Sequence, residues 1–231
     1  DTAYDSYINT LNTIEKASAY LEANYGKTRP VFEGSRVENE SAERRTEIAA
    51  KLAPYLRGLA SEQQAMIRHF TDDARVLEFI ASADLDKLAP LGTSCPDHFL
   101  RTKIRPLVLD FPFEKLSLTD QEISEHIRPQ FEAYRESYQA YYDRCKRDNS
   151  PAVRDSNPVI ILLPGVGMFS FAKDKQTARV ASEFYINAIN VMKGAEAISS
   201  YVSLPEQEAF DIEYWLLEEA KLQRMPKEKA L

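Results

Sequence analysis

The 231-residue sequence predicts a helix-rich α/β fold in which helices flank a small, mainly antiparallel sheet. Most apolar residues recur at intervals of three and four, the period of a helix packed on one face. The run 159–163 is instead continuously apolar and largely β-branched, which indicates a buried strand. The sequence Pro-Gly-Val-Gly at 164–167 predicts a turn from that strand into a second, antiparallel strand over 168–172.

Two helices are predicted in the first sixty residues. Apolar residues at helical spacing cover about 8–21, and Gly26 suits the end of that helix. The same spacing recurs over 48–59, where Pro54 predicts a kink or a break. The stretch 27–39 between them is polar and is typical of a connector.

The next part of the chain mixes capping signals with prolines. The sequence Ser61–Gln64 has the form of a capping box and predicts a short helix after it. Asp72 or Asp73 is expected to cap the helix that follows. Four prolines and Gly92 fall within 82–112, which predicts a long loop with one strand at 107–109.

Helices dominate the second half. A capping box at Thr119–Glu122 opens the clearest helix, and Pro129 is expected to bend it early. A further helix is predicted over 178–192, and a third capping box at Ser203–Glu206 opens a last one. The apolar face of the clearest helix carries Ile123, Ile127, Phe131, Tyr134, Tyr138, Tyr141 and Cys145.

Composition excludes several classes of protein. The net charge of −7 argues against nucleic acid or an anionic membrane surface as a partner, because both require a basic surface. No apolar run approaches the roughly 20 residues of a membrane span. Cys95 and Cys145 are too few for a disulfide scaffold, so we expect a cytoplasmic location.

One short segment contains several charged or ionisable side chains that could form a binding site. His98, Arg101, Lys103 and Arg105 follow one another in a predicted loop, with Asp97 beside them. Arginine offers a bidentate fork and lysine a point charge, so these four are candidates for binding a phosphate or carboxylate. The alternative is that each pairs with a neighbour and the segment only braces the fold.

Two other site types are disfavoured. The remaining histidines, His69 and His126, lie in separate segments and show no zinc-ligand spacing, so no metal site is predicted. Gly165 and Gly167 superficially resemble a dinucleotide fingerprint, which would make the chain an independent nucleotide-binding enzyme. The third glycine is replaced by Ser170 and a strand is predicted where the fingerprint needs a helix, so we predict a hairpin turn.

A short internal repeat points to a family. The pattern of Thr2-Ala3, Leu11-Asn12 and Ile14 recurs at a constant offset in Thr177-Ala178, Ile186-Asn187 and Ile189. The zinc-dependent class II aldolase/adducin family has a strand, a His-Gly turn, a second strand and a helix that opens with a similar pattern. Residues 160–187 resemble that whole unit, and residues 1–22 resemble its final helix. The runs 91–110 and 158–172 are similar to bifunctional rhamnulose-1-phosphate aldolase/alcohol dehydrogenase proteins.

This resemblance implies a division of the chain. Residues 1–82 would be the helical tail of a first aldolase-like lobe with connecting helices, and 83–222 a degenerate second lobe. Residues 223–231 would link to a short-chain dehydrogenase domain. The zinc-binding His of the family corresponds to Pro164, whose side chain has no lone pair for a metal. The resemblance therefore implies no catalytic, zinc or NAD(P) site in this segment, while the full-length enzyme would use both cofactors.

Two functions follow as expectations. The segment is expected to belong to a bifunctional sugar-degrading enzyme, a ketose 1-phosphate aldolase fused to a short-chain dehydrogenase. The alternative is a non-catalytic assembly or docking module with an adducin-like fold. The expected partners are the remainder of its own polypeptide and further copies in a homo-oligomer.

Overall fold

A computed structural model describes residues 2–27, 30–62, 64–95, 98–112 and 118–224. The strands are β1 (Ile67–Thr71), β2 (Leu107–Val108), β3 (Ile160–Leu163) and β4 (Gly167–Ala172). A 3-10 turn at Ala89–Leu91 follows the fourth helix. The helices are α1 (Ala3–Asn24), α2 (Ala42–Ala60), α3 (Ala74–Ala81), α4 (Leu85–Leu88), α5 (Phe99–Thr102), α6 (Asp120–Cys145), α7 (Lys175–Ile198), α8 (Glu206–Glu213) and α9 (Leu216–Arg224).

The strands form one mixed sheet in the order β1-β4-β3-β2. β4 is antiparallel to both of its neighbours, and β2 is parallel to β3. Leu163 is opposite Gly167, so the chain turns through Pro164-Gly165-Val166 into β4. The predicted fold class and the predicted hairpin are therefore confirmed. Because a strand begins at Gly167, the helix that a dinucleotide fingerprint needs is not present there.

Helices cover both faces of this sheet. Ile161 and Leu163 join an apolar cluster with α2 and α6, whereas Ile160 and Leu162 join a second cluster with α3 and α7. This alternation follows from the two-residue period of a strand. A third, aromatic cluster lies between α5, the second half of α6 and α8. Burial on both faces explains why the β3 sequence is continuously apolar.

The predicted division at residue 82 runs through this sheet. β1 belongs to the first predicted segment and pairs with β4 of the second over Ile67–Thr71. α2 also packs in the same apolar cluster as α6. Of the predicted linker 223–231, residues 225–231 lie outside the part of the chain that the structure describes.

The short helix predicted after Ser61 is wrong. Ser61 is the C-cap of α2, and its Oγ accepts a hydrogen bond from the Met66 amide at 3.0 Å. Residues 67–71 form β1, because pairing with β4 outweighs the local capping signal. Gln63, inside the predicted box, is not among the described residues.

Two other helix predictions need correction. α2 continues through Pro54, so a break there is wrong, while the alternative of a kink stays a prediction. The box predicted at Ser203–Glu206 does not form, since Pro205 is the N-cap of α8 and makes no side-chain capping bond. The last predicted helix is two helices, α8 and α9, which are separated at Tyr214 and Trp215. The loop predicted over 82–112 also contains α4, the 3-10 turn and α5.

α1 differs from the other long helices because none of its residues is buried. Thr2 and Asp5 form a capping box at its start. Near its end, the amide of Gly26, at φ 70°, donates to the carbonyl of Ala197 at 3.0 Å. Within the described ranges, no helix combines the length and the apolar character needed to cross a bilayer.

Replacing Gly167 by alanine should lower the free energy of unfolding by about 1–3 kcal/mol. Its φ is +153°, and an added Cβ would lie 2.7 Å from the carbonyl oxygen of Thr71 on β1. Gly194, inside α7, is the matched control because an added Cβ there meets nothing within 4 Å. Gly194→Ala should stabilise by about 0.5–1 kcal/mol, since alanine favours a helix interior. Urea denaturation measures the stability of both variants. Equal effects of Gly167→Ala and Gly194→Ala would contradict the close approach of Gly167 to the Thr71 carbonyl.

Candidate functional site

A groove of about 360 Å³ opens where the parallel strands β2 and β3 end. Its walls come from residues 36–38 and 40 of the connector after α1, from 109–112 after β2, and from Pro164 and Gly165. The carboxyl ends of parallel strands are common positions for ligand sites in α/β folds. The groove is therefore the first candidate for a ligand site.

Close packing fixes the floor of the groove. Gly165 has φ +80°, and an added Cβ would lie 3.1 Å from the carbonyl oxygen of Glu38. The amide of Glu40 donates to the Gly165 carbonyl at 2.9 Å. Arg45 of α2 donates from Nη1 to the Glu40 carbonyl at 2.6 Å. The connector is thus held against the β3–β4 turn by one main-chain hydrogen bond and is joined to α2 through Arg45.

The charges that line the groove do not suit an anion. Three of its lining residues, Glu38, Glu40 and Asp110, are acidic. Arg36, a lining residue of opposite charge, is paired with Asp86. The main chain of Asp110 exchanges two hydrogen bonds with the Gln130 amide group, at 2.9 and 2.8 Å, which fixes this edge. A sugar phosphate entering here would meet net negative charge.

The residues around Pro164 do not fit zinc. His69 lies on β1, His98 immediately before α5 and His126 on α6, so the three imidazoles belong to different elements. In the described parts of the chain, no group of three or more His, Cys, Asp or Glu side chains could hold a metal ion. The side chain of Pro164 offers no atom that could bind a metal.

Two of the four predicted anion-binding residues pack around one aromatic ring. His98 is buried, its Nδ1 lies 3.2 Å from the Thr93 hydroxyl oxygen, and its ring centroid is 4.6 Å from that of Phe184. The Arg101 guanidinium lies over the same Phe184 ring at 5.9 Å. These contacts attach the segment to α7.

The other two predicted anion-binding residues, Lys103 and Arg105, contact different parts of the fold. Lys103 is buried, donates from Nζ to the Asp155 carbonyl and lies 3.6 Å above the Tyr138 ring. Arg105 pairs with Glu206 of α8 at 2.8 Å. The four side chains therefore do not meet in one pocket, and the geometry favours the alternative in which they brace the fold. Binding of an anion by these residues stays a prediction, and Asp97 lies outside the described residues.

A buried polar cluster, which we call the Glu213 cluster, was not foreseen from the sequence. Glu213 of α8 is 1% exposed and accepts hydrogen bonds from the Tyr138 hydroxyl at 2.6 Å and the Tyr141 hydroxyl at 3.1 Å. The Tyr138 and Tyr214 hydroxyl oxygens are 2.8 Å apart. Lys103, above the Tyr138 ring, completes the cluster.

Burial shifts the ionisation of this cluster. Loss of solvent raises the pKa of the Glu213 carboxyl, which the nearby Lys103 opposes. The same loss lowers the pKa of Lys103 to about 8, although Glu213 and Asp155 oppose the change. Strongly shifted groups are typical of active sites, but they also occur in structural networks. Here Lys103 and the Glu213 oxygens are already bonded to protein groups, so the cluster joins α6, α8 and two loops.

Comparison with known proteins adds independent information. A family model described as "Aldolase class II, second domain" matches residues 47–222. The chain is 35% identical over 228 residues to "Uncharacterized oxidoreductase YuxG" of Bacillus subtilis (strain 168). That alignment covers 99% of this chain but 32% of the relative, so the chain spans about one third of the relative's length. No solved structure matches the chain.

Proposed function

The chain belongs to the class II aldolase family, and from this premise we propose that it is the metal-free second lobe of a larger sugar-degrading enzyme. In that enzyme a zinc-dependent lobe cleaves a ketose 1-phosphate by retro-aldol chemistry. A fused short-chain dehydrogenase domain then oxidises or reduces the aldehyde product with NAD(P). The lobe formed by this chain contributes structure rather than reacting groups, and the enzyme is cytoplasmic.

The turn between β3 and β4 carries this proposal. Pro164 occupies the position at which the resemblance places a zinc-binding histidine. It is buried, and the acidic residues that line the groove with it belong to other segments of the chain. Zinc would supply electrophilic stabilisation of an enediolate in an active lobe. This chain instead offers a closed proline turn and an acidic groove.

The relative supports the wider part of the proposal. Its name describes an oxidoreductase, and about two thirds of its length lies outside the alignment with this chain. That length is enough for a further lobe and a dehydrogenase domain.

Enzyme assays test the proposal directly. The complete gene product should release an aldehyde from rhamnulose 1-phosphate or a related ketose 1-phosphate, and should couple that aldehyde to NAD(P) turnover. The 231-residue chain alone should do neither. Aldol cleavage by the chain alone, or a complete gene product inactive in both assays over a panel of ketose 1-phosphates, would refute it.

The chain alone should bind no stoichiometric zinc. We expect well below one zinc per chain after purification in zinc-containing buffer, because Pro164 replaces a ligand and the histidines are separated. Elemental analysis measures this. His98→Ala is the matched control and should leave the zinc content unchanged. One tightly bound zinc that is lost in His98→Ala would contradict the prediction.

A docking role is the second candidate, and one observation favours it. α1 exposes apolar side chains along its whole length, including Tyr4, Tyr7, Ile14 and Leu21. An exposed apolar face of this kind is typical of an interaction surface. On this second candidate the α1 face would contact another copy of the enzyme, and the full-length enzyme would be a homo-oligomer held partly by this lobe. Light scattering of the complete gene product tests it, since a monomer unaffected by substitutions on the lobe surface would exclude this role.

A further inference from the structure

The exposed face of α1 is continuous and uncharged. Tyr7 is 59% exposed, Leu11 38%, Ile14 59% and Leu21 48%. Small side chains, among them Ala3 and the residues at 6, 10, 13 and 17, border this apolar row. A helix of 22 residues that buries none of them derives little stability from its own chain.

α7 shows what a helix with this pattern packs against. The internal repeat places Ala3, Leu11 and Ile14 of α1 opposite Ala178, Ile186 and Ile189 of α7. In α7 these three positions are buried, at 0%, 8% and 1% exposure. The same offset relates the residues at 6, 7, 10, 13 and 17 to the buried Ala181, Ser182, Tyr185, Ala188 and Met192.

The partner of α7 is the face of a β-sheet. Ile160, Leu162 and Met168 of β3 and β4 lie in the same apolar cluster as α7. The Ser170 hydroxyl of β4 donates to the Ala178 carbonyl at 2.7 Å, which brings the start of the helix close to the strand. Small residues on the helix allow this approach. α1 keeps the residue size of α7 at the positions 3, 6, 11, 13 and 14, whereas small and large residues are exchanged at 7, 10 and 17.

A coiled coil with a second copy is the competing arrangement. The residues at 4, 7, 11, 14, 18, 21 and 25 follow a strict three-four spacing, which is the seam of a two-stranded coiled coil. That seam would contain Ser18 and would have tyrosines at three of its seven positions. Leucine, isoleucine and valine are the residues that such seams favour, so the pattern fits a sheet better.

We propose that α1 uses the face formed by Ala3, Tyr7, Leu11, Ile14 and Leu21 to cover an apolar face of a β-sheet outside this chain. The contact repeats the one that α7 makes with β3 and β4. This inference rests on the proposed function in one respect, namely that the chain is part of a longer polypeptide. Beyond the proposed function, the inference names the residues of α1 that make the contact and describes the partner as an apolar sheet face.

Photo-crosslinking in the complete gene product tests the contact. A benzoylphenylalanine at Ile14 should crosslink to an apolar strand of the same polypeptide outside the 231 residues, as read by mass spectrometry. The same probe at Lys16 is the control, because its counterpart in α7, Val191, is 44% exposed. Lys16 should give no such product. A crosslink from Ile14 to α1 of a second copy, or to no peptide, would overturn the proposal.

Hydrogen exchange on the unmodified protein gives a second measurement that requires no variant. Amides of α1 should exchange at least 100-fold more slowly in the complete gene product than in the 231-residue chain. Equal exchange in both would overturn the proposal. The activity assays are separate, so an inactive enzyme with the expected crosslink refutes only the proposed function. An active enzyme without the crosslink refutes only the docking of α1.

Discussion

Replacing Glu213 by alanine should lower the free energy of unfolding by about 3–5 kcal/mol, because it breaks a buried, charge-compensated cluster. Glu213 is 1% exposed and accepts hydrogen bonds from Tyr138 and Tyr141. Without the carboxylate, the Tyr141 hydroxyl has no acceptor there, and Lys103 loses the largest charge that opposes the cost of its burial. Chemical denaturation measures the loss.

Two variants separate this cause from a general effect on α8. Asp211 lies on the same helix but pairs with Arg147 at the surface, so Asp211→Ala should cost much less. Glu213→Gln keeps the side-chain shape and one acceptor oxygen. Its loss of stability should fall between those of Glu213→Ala and Asp211→Ala. A loss in Glu213→Ala no greater than that in Asp211→Ala would show that the Glu213 cluster contributes nothing to stability.

The loss in Glu213→Ala should also depend on pH. Lys103 has its pKa lowered from 10.5 to about 8 in the folded chain, so the unfolded chain holds this proton more tightly between those values. Stability from this group therefore rises as the pH increases from about 8 towards 10.5. Glu213 raises the pKa of Lys103 in the folded chain. Without Glu213 that pKa is lower, so the increase in stability with pH begins at a lower pH. The destabilisation by Glu213→Ala should be smaller at pH 9 than at pH 7.

Three signals that act within a few residues were interpreted correctly from the sequence, although the capping boxes predicted at Ser61–Gln64 and Ser203–Glu206 do not form. Thr119 and Glu122 form both reciprocal bonds of the capping box that opens α6. Asp73 caps α3, its side chain accepting from the Arg75 amide. The turn after β3 joins two antiparallel strands as predicted. Each of these depends on side chains and backbone groups that are close in sequence, so a local pattern is sufficient.

Elements that depend on distant partners were missed. β1 forms because Ile67–Thr71 pair with β4, about one hundred residues later, and nothing near Ser61 indicates that strand. Glu213 lies in the last predicted helix, and a glutamate carboxylate on a helix is normally solvated. Its burial requires Tyr138 and Tyr141 from α6, a contact between residues more than seventy positions apart.

The predicted anion-binding residues show why closeness in sequence does not make a site. α5 is a single turn, and Lys103 follows it with a left-handed backbone at φ 60°. This reversal sends Lys103 towards α6, while His98 and Arg101 stay against Phe184 of α7. Arg105 then reaches α8. Because the four side chains diverge, they contact three different helices and do not form one pocket.

Phe169→Ala should lower the free energy of unfolding by about 3–5 kcal/mol, because it opens a cavity at the centre of the sheet. Phe169 is fully buried on β4, which is paired on both sides. Its ring lies 4.9 Å from that of Phe70 on β1 and 6.5 Å from that of Phe171, measured between centroids. The loss therefore removes contacts that join neighbouring strands, and α2 and α6 pack over the same cluster.

Val202→Ala is the control for this substitution. Val202 is 75% exposed, so its truncation should change the free energy of unfolding by less than about 0.5 kcal/mol. Phe169→Leu should recover part of the loss, since leucine refills some of the cavity. Urea denaturation should show a lower midpoint for Phe169→Ala with an unchanged slope, because the same surface is exposed on unfolding. If Phe169→Ala and Val202→Ala had equal effects, this cluster could not be what holds the helices onto the sheet.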